Sequence, residues 1–216
     1  GLTLSPSQKK YCESNGWNAR LQNWNDFNPS ELYDAVVSIG AFEHFCSIED
    51  FQNGQQELIY ERFFDLVSRS LKPGKKLFLQ TMTFGGIGAP DLETGVDAFA
   101  PFNSRARILG QWRAYFPGSY MPHNEEQIVE AAKQDFDLTR SEDGRLDYVE
   151  TARVWLEAVN APGGLEKWVE WATFAFKGLG KPELLARIQS VREDAFSRGF
   201  AFDVIGHKRL TFMKKE

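Results

Sequence analysis

Cysteine is scarce in this 216-residue chain, and Cys12 and Cys46 form neither a disulfide framework nor a metal-type spacing. Two free thiols fit a reducing compartment, so the expected location is the cytoplasm. Basic charge is in deficit, with 25 Lys and Arg against 30 Asp and Glu, a formal net charge of −5. That balance argues against nucleic acid as the principal partner, because polyanion binders carry a basic surface. No apolar run reaches the roughly 20 residues needed to cross a bilayer, and no signal peptide pattern opens the chain. Internal repeats, low-complexity tracts and metal-ligand clusters are also missing.

Aromatic residues, by contrast, are plentiful at 14%, led by 18 Phe and 6 Trp. They suit a large apolar core or an apolar ligand cavity. Basic clusters at Lys72, Lys75 and Lys76 and at Lys208, Arg209, Lys214 and Lys215 read first as solvated surface, with a lipid-headgroup contact as the alternative. His123 and His207 lie in polar surroundings and read as surface residues.

Ser5-Pro6 reads as a helix start, with Ser5 as cap and Pro6 in the first turn. Leu32 to Gly40 is a β-branched apolar run ending in glycine, the pattern of a buried strand in a parallel sheet. Ile59, Phe63, Leu66, Val67 and Leu71 follow at helical spacing, Pro73-Gly74 reads as the helix stop, and Lys76 to Met82 as a second strand. Strand, helix, turn and strand make a βαβ unit, hence a parallel sheet covered by helices. Gly85 to Asn103 reads as a long loop. Its Gly85-Gly86-Ile87-Gly88 lacks the residues of a phosphate-binding loop.

The last third reads as helices. One carries Val149, Ala152, Leu156 and Val159; a second Leu165, Trp168, Val169, Ala172 and Phe176; a third Leu184, Ile188, Val191 and Ala195. Phe200 to Met213 closes the chain as a strand or hairpin. The expected organisation is one domain: an αβ portion over 1–84, a loop and helical cover over 85–199, and a closing strand over 200–216.

Several segments resemble one family in its own order. Gly1 to Gln8 resembles the G-x-T-L-S-x-x-Q segment of cyclopropane-fatty-acid and mycolic-acid cyclopropane synthases. Tyr33-Asp34-Ala35-Val36-Val37-Ser38-Ile39-Gly40-Ala41-Phe42-Glu43-His44-Phe45 resembles their most diagnostic run. Leu71-Lys72-Pro73-Gly74 through Met82 is similar to their turn and strand, Phe116-Pro117-Gly118 to their F-P-G, and Tyr148 to Trp155 to H-Y-x-x-T-x-x-x-W, with Asp147 for the histidine. Phe196-Ser197-Arg198-Gly199 is loosely similar to F-R-x-G.

The resemblance implies an α/β fold, a Rossmann-like class I methyltransferase sheet with a helical cover inserted before the last strands. The family's glycine loop would lie upstream of Gly1, so the chain is expected to be truncated at its N-terminus, or to rely on a companion chain. It further implies S-adenosylmethionine as cofactor, with Thr3, Leu4, Ser5 and Gln8 near its ribose and methionine end and Trp24, Asn25 and Ile39 around its adenine. Trp24 could equally be a core tryptophan, and Asn25 replaces an acidic residue. Family chemistry methylates or cyclopropanates the double bond of an unsaturated acyl chain through a carbocation, with a bound bicarbonate. On that pattern Glu43 grips the bicarbonate and Tyr148 donates to it; the alternative is that Glu43 caps the next helix. His44 reads as a packing residue.

Two departures stand out. Gln80 replaces a bicarbonate-binding histidine, and it can donate an N–H but cannot carry a proton or a charge. Met82 replaces an isoleucine. These changes keep a small amine or another carbon nucleophile open as acceptor, and a non-catalytic subunit is the remaining alternative. A lipid acceptor, at a membrane surface, would need an apolar tunnel drawn from Trp112, Tyr115, Phe116, Trp155, Trp168 and Trp171.

Overall fold

A short parallel pair, β1 (Leu2–Thr3) and β2 (Arg20–Leu21), opens the computed structural model, which describes residues 1–86, 88–90, 95–160 and 193–216 and isolated positions between 163 and 190. Between the two strands runs α1 (Pro6–Ser14). Its start is the one expected: the Ser5 side chain accepts from the Gln8 N–H, and Pro6 occupies the first turn, where its missing N–H costs nothing.

The main sheet begins with β3 (Tyr33–Ile39). After the short α2 (Ile48–Gln52), the amphipathic α3 (Gln56–Ser70) crosses over to β4 (Leu71–Phe84), which lies parallel to β3. Pro73-Gly74 does not stop the helix. The helix already ends at Ser70, and Pro73-Gly74 sits within a bulge of β4: Tyr33 pairs with Leu71, yet Ala35 pairs with Lys76. Gly74 takes φ +69°, which a bulge can demand and glycine tolerates.

The chain continues through α4 (Arg105–Tyr115), α5 (Glu125–Ala132), β5 (Phe136–Asp143), α6 (Arg145–Asn160), α7 (Ala195–Ala201) and β6 (Ile205–Lys214). The sheet order is β3-β4-β6-β5, with β6 antiparallel to both neighbours. Three expectations need correction. β5 interrupts the helical third; its sequence holds only two apolar residues, Phe136 and Leu138, and most of it is exposed, so it gives little periodic signal. Phe200 and Ala201 end α7 rather than begin the last strand. β3 is not buried: among the described residues it has a strand partner on one side only, and Val37 and Ile39 are 63% and 58% exposed. The helix expected from Val149 to Val159 is α6. Those expected around Leu165 to Phe176 and Leu184 to Ala195 fall largely outside the described residues, Trp168 and Trp171 among them.

Aromatic side chains fill the core. Phe42 stacks on Tyr60 at 4.5 Å and meets Phe45, Phe63 and Phe64 at 5.7, 5.2 and 6.0 Å. Phe64 on α3 in turn meets Phe212 at 5.4 Å, and Phe212 pairs with Leu77 across the sheet. One face of β4, carrying Leu77, Leu79 and Thr81, is therefore the α3 face. Alternation then sends Gln80 and Met82 to the opposite face, where α6 covers the cross-strand partner of Met82. The sheet thus separates the α3 side from a side covered by α6.

One contact on the covered side is tight enough to test. A Cβ on Gly110 of α4 would sit 2.1 Å from the Ala98 backbone nitrogen. Gly110→Ala must push that segment away, at an expected cost of about 1–3 kcal/mol for overpacking. Thermal unfolding should show a fall of roughly 3–10 °C.

Candidate active site

Gly40 ends β3 at φ +61°, and its N–H donates to the Gln80 carbonyl at 3.1 Å. The chain then enters a single 3₁₀ turn, Phe42–His44, held against the end of β4. Phe42 anchors that turn in the aromatic core, so Glu43 is buried with it and only 2% exposed. Its carboxylate accepts a hydrogen bond from the Thr81 hydroxyl at 3.0 Å. Glu43 caps no helix: the α2 cap is Ser47, in a reciprocal capping box with Asp50.

Burial pushes the Glu43 pKa up to about 7, against the opposing pull of its own backbone, Thr81 and the Met82 backbone. Such a carboxyl exchanges protons near neutrality, which is what a site for general acid–base work requires. Removing the Thr81 hydroxyl takes away a group that favours the charged form. Thr81→Val should therefore move the Glu43 midpoint further above 7, as read by carboxyl carbon NMR in a pH titration.

Beside Glu43 lies a cavity with mostly apolar walls, among them Met82, Phe84, Leu109, Trp112 and Phe116. Of the aromatics expected to line it, Trp112 and Phe116 do so. Tyr115 and Trp155 pack instead near Phe196, at 5.0 and 6.4 Å. His44 also lines the cavity and shares a 3.0 Å hydrogen bond between Nδ1 and the Ser119 hydroxyl. Arg113 stands where this cavity adjoins a more open groove, since it and Ile48 and Val96 line both.

Of the three residues expected to carry chemistry, Glu43 lines this cavity, while Gln80 and Tyr148 lie on or against the opposite face of the sheet from Thr81. Glu43 is bonded to Thr81, and Gln80 is the neighbour of Thr81 in the same strand. Tyr148, in the first turns of α6, lies with its ring 4.3 Å from that of His207, the residue directly opposite Met82. His207 is 1% exposed, so the surface reading is wrong. Its run, Gly-His-Lys-Arg, looks polar, but the residue is covered by Tyr148. His123 is half-buried as well, at 5.6 Å from Phe51.

The residues expected to hold the cofactor form a separate group. Thr3 donates from its hydroxyl to the Gln8 side chain at 2.6 Å and accepts from the Ser5 N–H at 3.1 Å, so this loop is tied together before α1. Leu4 and Ile39 are exposed. Trp24 and Asn25 form a 3₁₀ turn just after β2, and the Trp24 ring lies 4.7 Å from Phe45 and 5.8 Å from Phe63. Trp24 is therefore packed against the core and joins the loop side to the Glu43 turn. These groups sit at or just beyond the carboxyl ends of β1, β2 and β3, where open α/β sheets bind ligands. Polar side chains ordered by a loop after one strand, and an exposed Ile39 at the end of another, suit a ligand with both polar and flat apolar parts. Among the described residues no group of His, Cys, Asp or Glu could hold a metal ion, and no helix is long and apolar enough to cross a membrane.

Comparison with known proteins gives a consistent picture. Residues 1–164 match the family model described as mycolic acid cyclopropane synthetase. Cyclopropane mycolic acid synthase 1 of Mycobacterium tuberculosis is 30% identical over 173 residues, which are 76% of this chain and 55% of that protein. Cyclopropane mycolic acid synthase MmaA2 of the same species is 33% identical over 169 residues, 74% of this chain and 53% of that protein. The chain thus spans about half the length of the curated relatives it matches. Among solved structures, cyclopropane synthase MmaA2 from M. tuberculosis aligns with TM-score 0.68 and 25% identity over 99% of this chain and 69% of that one. Mycolic acid cyclopropane synthase CmaA1, complexed with SAH and CTAB, aligns with TM-score 0.67 and 25% identity over the same shares. The Rossmann-like methyltransferase architecture expected from the sequence is therefore the one observed.

Proposed function

The chain belongs to the mycolic acid cyclopropane synthetase family, and from that premise we propose that it transfers a methyl group from S-adenosylmethionine to the double bond of an unsaturated acyl chain. The observation that carries this reading is the pairing of one buried, near-neutral carboxyl, Glu43, with a cavity of largely apolar walls. Methylation of an alkene generates a carbocation, which survives only where water is excluded and a small, fixed polar group awaits it. The cofactor would supply an electrophilic methyl on sulfur. Thr3, Ser5 and Gln8 would hold its ribose and methionine end, and Trp24, Asn25 and Ile39 its adenine, with Leu4 alongside.

Glu43 and Tyr148 would hold a bicarbonate beside the reacting carbon. Gln80 would add an N–H donor but no proton-carrying group. Arg113, exposed and at the cavity's outer end, suits the acidic head of a lipid whose tail enters among Trp112, Phe116 and Leu109. Gln80 and Met82 also support a second reading, in which the same fold methylates a small amine or another carbon nucleophile.

The test begins with calorimetric titration of S-adenosylhomocysteine, followed by a screen of acceptors with methyl-labelled S-adenosylmethionine. Saturable binding and label in unsaturated phospholipid support the acyl reading. Label in amines alone replaces it with the second, and binding without transfer to any acceptor counts against both.

A further inference from the structure

His207 is a buried titratable group for which the catalytic assignments above leave no role. It projects from β6 on the covered face of the sheet, directly opposite Met82, which walls the cavity beside Glu43. Gln80 is its diagonal neighbour across the same ladder, since Gln80 itself pairs with Arg209. Diagonal positions lie about 7–8 Å apart, within reach of long or aromatic side chains. The ring rests against Tyr148 at 4.3 Å, and neither ring nitrogen has a hydrogen-bond partner among the described residues.

A buried imidazole with both nitrogens unpaired is costly, on the order of 1–3 kcal/mol per unsatisfied group. Its placement is nonetheless tightly specified. A Cβ on Gly144 would meet Nδ1 at 2.4 Å and Cε1 at 2.9 Å, so only a glycine there leaves room for the ring. The Gly144 N–H in turn donates to the His207 carbonyl at 3.0 Å. Burial, with the Arg209 charge, pushes the His207 pKa down to about 4, while Asp143 and Asp147 pull the other way. The ring is therefore neutral at physiological pH, with one donor and one acceptor nitrogen.

We propose that His207 belongs to the small-anion site: its imidazole donates an N–H to the oxyanion held by Glu43 and Tyr148, supplying from β6 the ring that Gln80 does not supply from β4. This rests on the reading of Glu43 and Tyr148 as a bicarbonate site. A polar replacement on one strand is thus answered by a histidine on the next, one diagonal away on the same face.

The experiment uses the full chain with ¹⁵N-labelled histidine and saturating S-adenosylhomocysteine, titrated with bicarbonate, with chloride at equal ionic strength as control. Assignment follows from His207→Phe, which removes one set of ring signals. The expected result is a saturable shift of the His207 ring nitrogens with bicarbonate and none with chloride, abolished in Glu43→Gln. A ring that ignores bicarbonate while S-adenosylhomocysteine binds overturns the proposal, whatever the chain methylates. A responsive ring without methyl transfer to unsaturated lipid upholds it and removes only the acyl reading. In an active preparation, His207→Gln should lower kcat about 100-fold with KM for S-adenosylmethionine and the melting temperature nearly unchanged. Retention of full kcat in that variant also overturns the proposal.

Discussion

Glu43→Gln is expected to abolish methyl transfer while making the protein more stable above neutral pH. Folding raises the pKa of this buried carboxyl from 4.5 to about 7. Between those values the folded chain binds more protons than the unfolded one, so stability falls as pH rises and the loss is complete above about 7. A shift of this size corresponds to about 3 kcal/mol. Glutamine is neutral at every pH and escapes that penalty. At pH 8 the variant should melt roughly 6–12 °C above the parent, with little difference at pH 5. On the proposed reading, a carboxyl that exchanges protons near pH 7 serves chemistry that an amide cannot.

His207 titrates with the opposite sign. Its pKa falls on folding from 6.5 to about 4, so the unfolded chain takes up the proton first, and stability is lost as pH drops through that window. Between about 4.5 and 6.5 the slopes from Glu43 and His207 oppose one another, and burial of His44 and His123, which lowers their pKa values too, adds to the His207 side. Glu43→Gln removes one slope and leaves the other. Its melting temperature should then decline visibly below pH 6.5, and adding His207→Phe should make that decline shallower; an unchanged slope in the double variant would refute the assignment of His207 as a buried neutral base.

Phe42→Ala should give the largest loss of stability. Phe42 is fully buried and touches four aromatic rings, those of Phe45, Tyr60, Phe63 and Phe64. Truncation leaves a cavity among rings that cannot close over it, at an expected cost of about 3–5 kcal/mol. For a chain of this size that is a drop of roughly 6–20 °C. Because Glu43 follows Phe42 in the same single turn, the buried carboxylate should also lose its contact with Thr81. Its titration midpoint should then move toward the ordinary carboxylate value as water reaches it. Thermal unfolding and the carboxyl NMR titration read the two effects separately.

Much of this was legible in the chain. The βαβ unit was readable from an apolar β-branched run, a helical apolar stripe and a second run, because each element buries a face with its own period. The start of α1 was readable from Ser5 and Pro6. The diagnostic run around Glu43 pointed to a carboxylate at a strand end, and the turn that buries it is there. What escaped had physical reasons. β5 is an exposed edge whose side chains need not alternate, so it carries no pattern. Exposure of β3 depends on which strands lie beside it, which its own composition does not state. His207 looked like a surface residue because burial there is imposed from α6, some 60 residues earlier in the chain. Thr81 lies within a recognisable motif, but its bond to Glu43 joins two segments far apart in the chain.

The central claim is tested most directly by mixing the purified chain with methyl-labelled S-adenosylmethionine and vesicles of unsaturated phospholipid, then following the acyl chains by mass spectrometry. The account predicts labelled acyl chains heavier by one methylene, and their disappearance in Glu43→Gln although that variant folds and binds S-adenosylhomocysteine. Unmodified acyl chains in the presence of a bound cofactor, or undiminished transfer by Glu43→Gln, would contradict it.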